Sequence, residues 1–135
     1  MITFAEIKIQ SFQGIGNHTM SKRREIREEE MILVKHLLTL AGEDPEKYEI
    51  STSVDEYEGG KMGSINITDD KKAPYGGDFV QVNYIDSDDT PVVITLTKNT
   101  LGEVLDMDFW KKDFSKLLRY PKPEQVEIND KQGFI

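Results

Sequence analysis

The chain has 135 residues, 17 of them basic and 25 acidic, for a formal net charge of −8, and it contains no cysteine. One domain is expected at that length, and the acidic balance argues against nucleic acid as a partner, since phosphate binding depends on Lys and Arg neutralising backbone charge. The absence of cysteine excludes a disulfide framework, a zinc–thiolate site and a Cys nucleophile.

Residues 1–20 alternate loosely, with Ile2 and Phe4 followed by Ile7 and Ile9. They are read as an N-terminal extension or an extra strand. Glu6 and Lys8 stand where a signal peptide would be apolar. The longest apolar run, Met31–Val34, is far too short for a membrane span. A soluble, cytoplasmic protein without a membrane partner is expected.

The main domain is expected over residues 21–120, followed by a C-terminal tail over 121–135. The first strong element is a helix over about 28–41. Leu33, Val34, Leu37, Leu38 and Ala41 recur at three- and four-residue spacing, which makes a buried stripe. Glu28, Glu29 and Glu30 complement the dipole at its start, and Gly42 is placed to end it in the left-handed conformation.

Antiparallel strands follow. Tyr48, Ile50, Thr52 and Val54 alternate, and Gly63, Ile65 and Ile67 continue after a Gly-Gly turn. A loop over 69–77 leads to Val80, Val82 and Tyr84. After the Asp86–Pro91 turn comes the β-branched run Val92–Thr97, then a turn at 98–102 and a last strand with Val104, Leu105, Met107 and Phe109. Trp110, Phe114, Leu117 and Leu118 have helical spacing, so a short second helix is predicted over 110–118. Val126 and Ile128 suggest a short edge strand. The expected fold class is α+β: an antiparallel β-meander of about five strands packed against one long helix and a short second one.

Motifs for chemistry are weak. His18 and His36 lack spaced partners for metal or acid–base work. Asp86-Ser87-Asp88-Asp89 resembles the front of a calcium loop, but Pro91 and Thr97 occupy the positions that would need Gly and Glu. The Gly-rich stretches lack phosphate-loop spacing. Asp106 and Asp108 share one strand face and form the only carboxylate pair with an acid–base geometry to weigh against a plain solvated face. No metal and no cofactor is expected.

One feature points to binding. In a meander, alternate turns share an end of the sheet, which places Asp55, Glu56, Tyr57 and Glu58 beside Asp86, Asp88 and Asp89. That acidic end, with Tyr57 as anchor, would suit a basic protein partner.

The order Arg24-x-Ile26, Glu29-Glu30, Lys61-Met-Gly-Ser64, Asp86–Asp89 and Leu105-x-Met107-x-x-Trp110-Lys111-x-Asp113-Phe114 resembles a family of small uncharacterised bacterial α+β domains of unknown function. The resemblance implies no catalytic residues. Small acidic domains of this kind also resemble immunity proteins that neutralise toxins. The expected function is therefore a non-enzymatic protein-binding module, of the immunity-inhibitor kind, meeting a basic partner. The rivals are a small hydrolase or ligand-binding protein using Asp106 and Asp108, and a structural homo-oligomer subunit.

Overall fold

The structure, a computed structural model, describes residues 23–57, 61–68 and 73–129. The elements run β1 (Arg24–Glu25), α1 (Glu28–Leu40), β2 (Ser53–Glu56), β3 (Ile65–Asn66), β4 (Tyr75–Ile85), β5 (Pro91–Asn99), β6 (Val104–Lys111) and β7 (Glu127–Ile128). Single 3-10 turns occupy Pro45–Lys47 and Pro123–Gln125. The class is α+β, with one antiparallel sheet and one long helix. His18 and Glu58 lie outside the described residues, as does the expected N-terminal strand.

Helix α1 forms where its spacing predicts. Leu33, Val34, Leu37 and Leu38 are fully buried against the sheet. Its end is a Schellman motif: Glu43 N–H donates to Leu38 O at 2.9 Å and Gly42 N–H to Thr39 O at 3.0 Å, with Gly42 at φ +86°. The apolar face of the sheet supplies Val82 and Tyr84 from β4, Val92, Ile94 and Leu96 from β5, and Met107 and Phe109 from β6. These positions alternate along each strand, so one side of the sheet meets the helix.

The sheet has seven strands in the order β1-β2-β3-β6-β5-β4-β7. It is not the expected meander, because β3 pairs with β6 through Ile65↔Met107 and Asn66↔Asp106 rather than with β4. The β4–β5 and β5–β6 connections are tight, whereas 67–74 joins β3 to β4 across two intervening strands. Eight extended residues reach roughly 26 Å, ample for three strand spacings of roughly 14 Å in all. Nothing local therefore forces β3 and β4 together. Both edges are short, and the expected edge strand at Val126 and Ile128 forms as β7. Strand β1 pairs with β2 through only two residues, and β7 pairs with β4 through Val82↔Ile128 and Asn83↔Glu127. Part of the expected tail thus belongs to the sheet, and Val126 joins the core at 8% exposure.

The second helix does not form. Trp110 and Lys111 complete β6, and residues 112–120 follow as a turn and extended chain. Helical spacing of four apolar residues competes here with the alternation Met107, Phe109, Lys111, and the strand wins because Val92 and Val93 pair with Lys111 and Trp110. Strand β4 starts earlier than expected, at Tyr75. Gly76 permits this start, since a Cβ there would lie 2.6 Å from Asn99 O across the hairpin.

Candidate functional site

Strands β2, β6 and β4 run in one direction, and β3 and β5 in the other. The residues after β2 and the loop 86–90 therefore emerge at the same end of the sheet. Four strand spacings, roughly 19 Å, separate β2 from β4. The two groups of acidic residues are distinct patches, and each has its own charge partner.

The first patch centres on Lys111. In phase with Met107 and Phe109, it points to the core side of β6 and is 1% exposed. A buried ammonium is tolerable only if its hydrogens are all met. Lys111 Nζ donates to Asp86 Oδ2 at 2.9 Å, Asp88 Oδ2 at 3.0 Å and Lys116 O at 2.9 Å. Asp86, itself 2% exposed, also accepts from the backbone N–H groups of Leu118 at 2.8 Å, Arg119 at 3.0 Å and Ser87 at 2.7 Å. Burial alone would push the Asp86 carboxyl up, but the Leu118 N–H, Lys111 and the other donors hold it below its ordinary value. Asp88 is lowered, chiefly by Lys111. Lys111 is raised, because its two carboxylates outweigh its burial.

This pair fastens the segment that follows β6. Besides the bonds to Lys116, Leu118 and Arg119, Leu117 N–H donates to Lys61 O at 3.1 Å and Phe114 N–H to Lys111 O at 2.8 Å. Asp113 Oδ1 accepts from Ser115 N–H at 3.0 Å and from the Ser115 hydroxyl at 2.6 Å. The segment is irregular yet tied at nearly every residue. It displays Phe114 and Leu118, 59% and 58% exposed, with Lys112, Lys116 and Arg119 also exposed. Phe114 sits at φ +62°, in the left-handed region, and packs edge-on to Trp110 with ring centres 6.0 Å apart.

The second patch lies at the start of α1. Arg24 Nε donates to Glu56 Oε2 at 2.8 Å, and its terminal nitrogens reach the two Glu30 oxygens at 3.0 and 2.8 Å. Glu30 is 1% exposed and also accepts from Arg27 N–H at 2.8 Å. The Arg24 guanidinium is raised, first by Glu30 against the opposing effect of burial, then by Glu56.

The expected contact residues thus divide. Asp86 is buried and offers no surface; Asp88 is half compensated by Lys111; Glu56 is paired with Arg24. Asp55 is half-buried on β2, and Asp89 is exposed at φ +65°. Tyr57 is turned to the open face of the sheet, where its hydroxyl donates to Asp106 Oδ1 at 2.8 Å beside an Asn66 Nδ2 bond of 3.0 Å to the same atom. Burial raises the Tyr57 hydroxyl and, despite the Asn66 and Tyr57 donors, the Asp106 carboxyl. Ser64 Oγ lies 3.0 Å from Asp108 Oδ1. Asp106 and Asp108 therefore share a face as the alternation requires, but each accepts a bond from a neighbouring strand.

Two residues escape the reading of the sequence. Lys111 occupies a core-phase position of a strand, which is the signal that could have exposed it. Tyr120 stands just beyond the helix predicted over 110–118, which does not form, and the spacing of its neighbours gives it no role. Among the described residues no group of three or more His, Asp or Glu side chains could hold a metal ion, and no helix is long and apolar enough to cross a membrane.

The chain belongs to the family described as "Domain of unknown function (DUF6984)", whose model matches residues 23–121. The match begins with Arg23, whose guanidinium donates to Asn66 Oδ1 at 3.0 Å and Ile67 O at 2.7 Å, and it takes in both charged patches and the tied segment. No curated protein and no solved structure matches the chain.

Proposed function

We propose that the protein is a non-enzymatic protein-binding module whose contact surface is the tied segment 112–119 and the adjoining loop 86–90. The observation that carries this reading is Phe114. It is an exposed aromatic held in a backbone conformation that costs a non-glycine residue about 1 kcal/mol or more. The surrounding chain is anchored by a buried ion pair. A rigid loop that displays aromatic and aliphatic side chains is the usual build of a binding hot spot, because little entropy is lost when it docks.

The charge around it is mixed: Asp88, Asp89 and Asp113 alternate with Lys112, Lys116 and Arg119. Because Lys111 compensates the carboxylates behind them, the surface suits a partner with an apolar patch and both signs of charge. A strongly basic partner fits less well, and salt dependence should be shallow.

The test uses Phe114→Gly. Glycine accepts the left-handed backbone, so the variant should keep its stability within about 1 kcal/mol. A partner retained by the parent chain from host lysate should be lost on the variant although its melting temperature stays within several degrees of the parent's. Equal retention by both would overturn the reading. Light scattering of the two chains separates one further outcome: a mass that falls with Phe114→Gly would make the partner a second copy.

A further inference from the structure

Next to the tied segment, the start of α1 forms one wall of a cavity of about 160 Å³. Its lining is mainly polar, with Arg24, Arg27, Glu30, Glu56, Ser64 and Tyr120, and includes the apolar Ile65, Leu117 and Leu118. An apolar cavity of about 150 Å³ accepts a benzene-sized guest, so this one has room for a small molecule rather than only a water.

The hydrogen-bonding capacity of the polar side is unequally used. Both oxygens of Glu30 are engaged by Arg24, and one of them also by Arg27 N–H. The Arg27 guanidinium, in contrast, comes no closer than 3.6 Å to Glu30 and 3.7 Å to Glu56, and it is 56% exposed. The Tyr120 hydroxyl is buried with no hydrogen-bond partner. A buried hydroxyl without a partner costs about 1–3 kcal/mol, and native structures rarely leave one so. Tyr120 lines the cavity, and Glu30, Glu29, Arg24 and Arg27 are the charges that act on its hydroxyl, which burial raises well above its ordinary value. The groups with hydrogen-bonding capacity left are thus donors, and both residues line the same cavity as Ile65 and Leu117.

We propose that this cavity binds a carboxylate carried on a compact apolar group, with the carboxylate received by the Arg27 guanidinium and the Tyr120 hydroxyl and the apolar body against Ile65 and Leu117. A guanidinium fork matches a carboxylate in two parallel bonds, and a neutral tyrosine donates to it without a competing charge. The local balance of Arg24, Arg27, Glu30 and Glu56 is neutral, so one added anion is held by geometry and not by a strong field. The carboxylate can come from a free branched short-chain acid or from the C-terminus of a peptide ending in an aliphatic residue. The proposal stands apart from docking through Phe114.

The experiment follows the methyl signals of Ile65, Leu117 and Leu118 in the full chain by NMR. The probes are 3-methylbutanoate, its primary amide, and a short peptide ending in leucine with its C-terminus free or amidated. Saturable shifts are expected with at least one free carboxylate, and binding about tenfold weaker or more for the matching amide, which corresponds to about 1.4 kcal/mol. Whichever carboxylate saturates identifies the source. Arg27→Gln and Tyr120→Phe should each weaken the carboxylate about three- to tenfold while leaving the amide little changed, and Phe114→Gly should leave both unchanged. Acid and amide binding alike, or shifts that never saturate with either carboxylate, would overturn the proposal. Tyr120→Phe removes only an unpartnered hydroxyl, so loss of folding does not confuse the result.

Discussion

The two charged patches, around Lys111 and around Arg24, use the same kinds of residue to opposite ends. Around Lys111 every donor has an acceptor and Asp86 is filled from four directions, so the patch is closed and its output is mechanical: it fixes residues 112–119. Around Arg24 the innermost pair is equally well made, but Arg27 reaches Glu30 and Glu56 only at 3.6 and 3.7 Å, the Tyr120 hydroxyl has no hydrogen-bond partner, and both residues line a cavity. Satisfied polar groups build structure, whereas converging unsatisfied ones create capacity for a ligand.

Substitutions can break or sharpen that contrast. The largest effect is expected from Asp86→Ala, which takes the buried one of two carboxylates from the Lys111 ammonium and frees three backbone N–H groups. Unfolding in urea should show a loss of about 3–5 kcal/mol, with residues 112–119 losing amide-exchange protection first. A loss no greater than a surface substitution would show that the patch is not closed. Glu30→Gln should cost about 2 kcal/mol by the same measurement, because it weakens charge-assisted bonds from Arg24.

A pH series distinguishes the closed patch in another way. Asp86 and Asp88 are held below the ordinary 3.8 in the folded chain, so their contribution is complete above that value and is lost as the pH falls through their folded values. Lys111 is raised above 10.5, so its contribution is complete below that value and is lost as the pH rises through the folded one. The contribution of this patch should be flat between these limits, and the Asp86→Ala chain should lose the Asp86 part of the acid limb. The smallest effect belongs to the open patch. Tyr120→Phe should leave stability within about 0.5 kcal/mol of the parent, or slightly above it. A loss above about 1 kcal/mol, the cost of one buried bond, would mean that the hydroxyl already has a partner.

Legibility followed the range of the interaction. Helix α1, its glycine stop and the β4–β5 and β5–β6 hairpins depend on residues within a turn or two of each other, and spacing reveals them. Asp106 and Asp108 sharing a face follows from alternation alone. The tied segment was misread because Trp110, Phe114, Leu117 and Leu118 satisfy a helical period that the pairing of β6 with β5 overrides. The candidate contact residues could be placed at one end of the sheet, but their charges could not be judged, since Asp86 meets Lys111 across 25 positions and Glu56 meets Arg24 across 32.

By itself the amino-acid sequence determined the class of fold, the long helix, the central hairpins and an acidic surface, because burial periodicity and turn chemistry are written over short windows. Only the tertiary structure decided that β3 lies beside β6, that a lysine belongs inside, and that Tyr120 faces a cavity. Each depends on which strands compete for the same edge and which buried charges find a counter-charge, and those partners stand far apart in the chain.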